Sequence, residues 1–242
     1  RDDVLRKITS DVAKFYNIIP LREQNGTLVV AMADPLNLTI LDDLRQITGM
    51  EVKGAISNHQ GVATSLKANY GGETQSIHET LSELVEQVGD TELTMEELGQ
   101  QEIVGDVDNL IQLSQEPQVI KIVNLVFLEA VQKRASDVHF EVYEDYFRIR
   151  IRVDGVLHEI VSPPKSLSLA LISRLKVMCD MDIGERRLPQ DARIQLKIGD
   201  SEVDIRVATL PTLYGENCVM RILDRNAVKV DLKLLGLSPN VT

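Results

Sequence analysis

Along residues 1–70 the apolar positions switch between two periods. Val4, Leu5, Ile8, Val12, Phe15 and Tyr16 recur at helical spacing and predict an amphipathic helix stopped by Pro20. Leu28-Val29-Val30-Ala31-Met32 is a short continuous apolar run that ends at Asp34-Pro35, as a buried strand does. Ile40, Leu41, Leu44 and Ile47 predict a second helix closed by Gly49. Glu51 to Ile56 reads as a second strand, and Val62, Leu66 and Tyr70 mark a third helix. The order α-β-α-β-α describes a small α/β domain.

Gly71-Gly72 opens a different segment, in which Ile77, Leu81, Leu84, Val85 and Val88 keep helical spacing amid acids. Such a stretch is either a helix docked on a partner surface or a solvated helical linker, and the acidity favours the linker. Residues 89–117 carry the least order in their pattern. A long apolar helix runs from Val119 to about Arg134, after which the period shortens to two. In Tyr146 to Val153, Phe147, Ile149, Ile151 and Val153 point one way and Tyr146, Arg148, Arg150 and Arg152 the other. Asp154-Gly155 makes a two-residue hairpin turn into Val156–Val161. Leu167 to Met178 reads as a helix, and strands follow at 193–198, 202–208 and 217–223. The fold class is α/β followed by α+β: a first domain over 1–70, a connector over 71–117, and a second domain over 118–226 with a mostly antiparallel sheet flanked by helices. Residues 227–242 read as a linker.

Charge sharpens that division. The chain has 242 residues and a formal charge of -11, from 26 Lys plus Arg and 37 Asp plus Glu. Residues 1–70 hold 8 basic and 8 acidic residues, residues 71–120 none and 12, and residues 121–242 hold 18 and 17. The excess acid therefore lies in the connector, between two nearly neutral domains. A net negative chain lacks the basic footprint that displaces counterions from nucleic acid, which argues against DNA or RNA as a partner. Cys179 and Cys218 form neither a disulfide framework nor a CxxC metal site, and no stretch resembles a signal peptide, so the sequence reads as cytosolic. The greasiest stretch, Val119 to Val131, is broken by Lys121, Asn124 and Glu129, so membrane contact is expected only through a partner.

Candidate chemistry begins with absences. No lysine follows a glycine, so the chain holds no P-loop, and no GxGxxG offers a dinucleotide site. His59, His78, His139 and His158 stand beside no recognisable nucleophile, and no residue is assigned a catalytic step or a metal. His139 lies two residues from Asp137 on one strand face, which suggests an imidazole paired structurally to a local carboxylate. Arg148, Arg150 and Arg152 form either a ladder neutralised by acids such as Glu141 or Asp154, or an anion-binding surface. In Cys218 to Leu223 both faces are apolar, so Arg221 reads as a buried cation that needs a buried acid or an anionic ligand. Arg206 is placed alike. Glu185-Arg186-Arg187-Leu188-Pro189-Gln190-Asp191-Ala192-Arg193 reads as a rigid, highly charged loop.

These residues also form an ordered pattern. Ser136-Asp137-Val138-His139-Phe140-Glu141, Arg148-Ile149-Arg150, Asp154-Gly155-Val156-Leu157, Glu185 to Asp191, Asp204 to Pro211, Gly215-Glu216 and Val219 to Asp224 together resemble the second N-terminal domain of the secretion ATPase superfamily, the GspE/PilB type. Residues 1–70, through Leu28 to Pro35, resemble the family's first N-terminal domain. The run Asp231 to Leu237 is more similar to the type II secretion member than to the type IV pilus member. The resemblance implies a P-loop ATPase domain after Thr242, ATP with Mg bound only with that domain, and a chain that is inactive alone. It implies that Arg206 and Arg221 reach the ATP phosphates when the domains close, with Arg148, Arg150, Arg152 and Arg193 as secondary candidates. It further implies a homo-hexamer peripheral to the bacterial inner membrane, docked through residues 1–70 on the cytoplasmic part of a secretion platform protein. Some relatives bind cyclic di-GMP in that region through Arg-Leu-Gly motifs, and none occurs here. The rivals from other classes are a non-catalytic adaptor and a nucleotide second-messenger receptor acting through residues 1–70. Ala192 departs from the family's glycine, which strains the turn if a positive φ is needed there.

Overall fold

The computed structural model describes residues 2–70, 77–90, 107–198 and 201–224. In the first unit, α1 (Asp2–Leu5) and α2 (Ser10–Tyr16) precede β1 (Ile19–Gln24), β2 (Thr27–Met32), α3 (Leu38–Thr48), β3 (Glu51–Ile56) and α4 (His59–Tyr70). The first helix is thus two pieces, because Thr9 adopts extended backbone and α2 starts afresh at the Ser10-Asp11 pair, residue types that favour helix starts. Pro20 lies within β1, a strand the apolar period did not reveal. Asn25 and Gly26, both at positive φ, make the two-residue turn that folds β1 back on β2. β2 pairs with β3 in parallel, giving a three-stranded sheet in the order β1-β2-β3. Gly54 in β3 is needed for close approach: a Cβ there would lie 2.8 Å from the Pro35 Cβ.

The second unit comprises α5 (Ile77–Asp90), α6 (Val107–Ser114), α7 (Pro117–Gln132), β4 (Asp137–Val142), β5 (Phe147–Val153), β6 (Val156–Val161), α8 (Ser168–Met178), β7 (Gln190–Ile198), β8 (Ser201–Thr212) and β9 (Gly215–Asp224). Its six strands are ordered β6-β5-β4-β9-β8-β7, and every adjacent pair is antiparallel. Asp154 and Gly155 take the positive φ values that the hairpin between β5 and β6 requires. One face of the sheet is core: Val138, Phe140, Phe147, Ile149, Ile151, Ile205, Val207, Cys218 and Met220 are all buried against α7 and α8. The expected solvated helix, α5, is instead docked on α7, with Leu81 fully buried and Val85 nearly so. Its apolar stripe finds a partner because α7 is apolar on nearly all sides and has surface left beyond what the sheet covers. Of the segment read as least ordered, α6 is helical and packs on α8, and residues 91–106 lie outside the described residues, as does the stretch 227–242.

The two units have separate apolar cores joined at α2, where Phe15 enters the second core and Tyr16 touches both. A buried polar cluster crosses this joint. The Tyr16 hydroxyl donates to Asp43 Oδ2 at 2.5 Å, Arg174 Nη2 donates to the same oxygen at 2.6 Å, and Asn124 Nδ2 donates to the Tyr16 hydroxyl at 3.0 Å. Burial first, then the charge of Asp43, raises the Tyr16 pKa well above the ordinary tyrosine value, so the phenol stays protonated as a donor. None of these residues is adjacent in sequence, and α2, α3, α7 and α8 bring them together.

Candidate functional site

Facing away from the core, the sheet carries its charge in rows. Strand alternation puts Asp137, His139 and Glu141 of β4 on this face together with Arg148, Arg150 and Arg152 of β5. Register then aligns residues across strands. Arg152 is opposite Asp137, Asp137 opposite Arg221, Arg221 opposite Arg206, and Arg206 opposite Arg193. Five charged residues from five strands therefore form one file, four of them arginines. The parallel file holds Arg150, His139, Val219, Ala208 and Asp191.

Acids neutralise one end of this surface. Glu141 accepts from Arg148 Nε at 2.9 Å and from Arg150 Nη2 at 2.7 Å, so the two guanidiniums share one carboxylate as a ladder. The Arg148 guanidinium also stacks 4.7 Å from the Tyr143 ring and donates to its hydroxyl. Arg152 Nε pairs with Asp137 Oδ2 at 3.1 Å rather than with Asp154. Ser136 Oγ donates to the same oxygen at 2.8 Å, and Arg221 Nε reaches Oδ1 at 3.2 Å.

Arg221 is not the buried cation that its apolar neighbours suggested. Its side chain is 66% exposed, because Cys218, Met220 and Ile222 face the core while Val219 and Arg221 share the outer face. Its single hydrogen bond uses Nε, so among the described residues both Nη groups have no partner. Arg206 and Arg193 are exposed, and among the described residues neither has an ion pair. The three line an open concavity of about 550 Å³ with Asp137, Asp191 and Val219. Ala192 lies within β7 opposite Val207, away from any positive φ, so alanine is unstrained there.

Electrostatics separates the two acids from the histidine between them. Burial, the largest single influence, pushes the Asp137 pKa up. The hydrogen bonds from Ser136 and Arg221 and the charges of Arg221 and Arg152 outweigh it, and the net pKa is lowered. Glu141 follows the same pattern, with Arg150 and Arg148 overcoming burial. His139 is not paired to Asp137: its buried Nε2 has no partner, and burial lowers its pKa despite the opposing pull of Glu141. A histidine with a depressed folded pKa contributes stability above its unfolded value and loses it as pH falls toward the folded value. The melting temperature should therefore drop between about pH 7 and pH 5, and less steeply in His139→Gln. An identical slope in thermal melts of the two proteins would remove His139 as the cause.

The charged loop before β7 is tied down from beneath. Lys176 Nζ, fully buried on α8, donates to the Glu185 carbonyl at 2.7 Å and pairs with Glu216 Oε1 at 2.6 Å. Gln190 Nε2 donates to the carbonyls of Asp182 and Glu185. Glu185 Oε1 accepts from the backbone N–H groups of Arg187 and Leu188. Cys179 and Cys218 are buried thiols, Cys179 pushed up to about 12 by desolvation and Cys218 also raised by it, which makes both poor nucleophiles. Among the described residues no group of His, Cys, Asp and Glu could hold a metal, and no helix is long and apolar enough to cross a membrane.

Residues 112–242 match the family described as Type II/IV secretion system protein, and residues 1–76 match the MshEN domain. The type IV pilus assembly ATPase PilB of Myxococcus xanthus is 38% identical over 236 residues, which cover 97% of this chain and 40% of that protein. The type II secretion system protein E of Xanthomonas campestris is 39% identical over 225 residues, 93% of this chain and 37% of that protein. The corresponding protein of Klebsiella pneumoniae is 48% identical over 134 residues, 55% of this chain and 27% of that protein. The chain thus spans 40% or less of the length of these three curated relatives.

Proposed function

Because the chain belongs to the type II/IV secretion system protein family, we propose that it is the coupling part of a secretion ATPase, which closes over ATP and Mg held by a P-loop domain and turns nucleotide binding into domain motion. In this reading residues 118–226 close over the nucleotide, with Arg206 and Arg221 contacting its phosphates. Residues 1–70 dock on the cytoplasmic part of an inner-membrane platform protein, 71–117 connect the two, and the assembled motor is a hexamer at the membrane face. Protein export by type II secretion is the proposed process, with pilus assembly as the alternative, since relatives carry either name.

One observation carries this reading: Arg206 and Arg221 stand side by side on an exposed sheet face, with Arg221 oriented by Asp137 through Nε and its Nη groups left for an anion. Guanidinium matches phosphate in planar, two-point fashion and is always charged, and it contributes most where charge develops in a nucleotide being cleaved. A second reading, a non-catalytic adaptor, draws on Arg148, Arg150, Arg152 and Arg221 all pairing with internal acids.

The test is ATP turnover in a full-length protein carrying Arg206→Ala or Arg221→Ala. Each change should lower turnover about tenfold or more, the scale of one lost charge-assisted contact, with the melting temperature nearly unchanged because both side chains are exposed. Turnover indifferent to both substitutions would put the adaptor reading in front.

A further inference from the structure

We infer that Arg193 is a third member of the phosphate-contacting set, and that this wall recognises an oligophosphate chain without reading the base attached to it. The inference rests on the nucleotide-closing reading for its context and deepens it, but its geometry stands apart. Residues directly opposite on antiparallel strands lie about 4.5–5.5 Å apart, so Arg193, Arg206 and Arg221 span about 10 Å in one straight file. Like charges at that spacing destabilise a sheet unless an anion offsets them. Asp137 offsets only the Arg221 end, and it is shared with Arg152. Asp191, the other carboxylate lining this concavity, lies in the neighbouring file opposite Ala208 and forms no ion pair with any of the three. Arg206 and Arg193 are thus the part of the file without a counter-charge among the described residues.

Such a comb favours an extended anion with several charges over a single carboxylate or monophosphate, because each guanidinium offers a two-point contact. The remaining lining of the concavity is small and aliphatic, Ala192, Ala208 and Val219 among it, with no aromatic side chain. No aromatic side chain is present to stack on a nucleobase, and the guanidiniums, which could otherwise stack on a base or donate to its edge, are engaged by the phosphates. The phosphate chain is therefore the part recognised, whether carried by a nucleotide or free.

Calorimetric titration of this chain at low salt tests the inference directly, with tripolyphosphate, ATP, GTP and AMP as probes. Tripolyphosphate should bind at least as tightly as ATP, ATP and GTP should agree within about twofold, and AMP should be about tenfold or more weaker. Arg193→Ala should weaken tripolyphosphate binding about tenfold, as much as Arg206→Ala does, with the melting temperature unmoved. Equal binding by Arg193→Ala and the parent chain would overturn the role of Arg193, and ATP bound far more tightly than GTP or tripolyphosphate would overturn base indifference. Absence of measurable binding to the parent chain would overturn both. Turnover of the full-length Arg206→Ala and Arg221→Ala proteins is an independent readout. If turnover falls while Arg193→Ala binds normally, the nucleotide-closing function stands and this inference fails; if Arg193 matters for binding but turnover ignores Arg206 and Arg221, the reverse holds.

Discussion

Asp43→Leu is expected to destabilise the protein by about 3–5 kcal/mol, the usual cost of removing one partner from a buried ion pair. The substitution strips Arg174, 4% exposed, of its counter-ion and takes away the acceptor of the Tyr16 hydroxyl at the same time. For a chain of this size that corresponds to a fall of about 10 °C in melting temperature. Because the cluster joins the two cores, the first unit should also loosen from the second, so proteolysis near residue 70 should accelerate. Adding Arg174→Met to Asp43→Leu should recover most of the loss, since an apolar replacement of the whole pair leaves no unpaired charge. Thermal and denaturant unfolding of the single and double variants is the measurement. A loss below about 1 kcal/mol in Asp43→Leu would mean that water reaches Arg174 in solution.

Glu216→Ala is expected to cost a similar amount, about 3–5 kcal/mol, by leaving Lys176 as a fully buried ammonium with only the Glu185 carbonyl to receive it. Here the consequence is local to the phosphate-facing wall. Lys176 ties the Glu185 end of the loop, Gln190 ties its other end, and β7 begins at Gln190, so Arg193 depends on this anchoring for its position. Faster cleavage within residues 182–190, together with weaker tripolyphosphate binding, should therefore accompany the loss of stability. A destabilised variant that binds tripolyphosphate as the parent does would show that β7 is held by its pairing with β8 alone.

Elements with an unbroken period are legible in the sequence alone. The alternation through Tyr146 to Val153 and the Asp154-Gly155 turn specify β5, its hairpin and the face on which three arginines stand. Gly49 closes α3 at positive φ, as its place after the last periodic residue requires. β1 escapes the apolar period because its exposed half, Leu21 to Gln24, carries no apolar alternation, and the Asn25-Gly26 pair that makes its turn is the only local signal of it. The sequence reads α5 as a solvated linker because acidity reports the outer face of an amphipathic helix and is silent about whether the inner face has a partner.

Arg221 marks where the sequence stops. Its neighbours are apolar on both sides, and from pattern alone that describes a strand buried twice over. In the fold, Val219 lies on an open face, and the acid that meets Arg221 comes from 84 residues away. The sequence by itself determined which side chains share a strand face, since that follows from a backbone period of two, and which residue types could meet an anion. Only the tertiary structure decided that Arg193, Arg206, Arg221, Asp137 and Arg152 form one file, and that Tyr16, Asp43 and Arg174 meet in one buried cluster. Strand order and register, and the docking of helices, are set by burying apolar surface contributed from the whole chain, and no local pattern encodes which distant partner completes that burial.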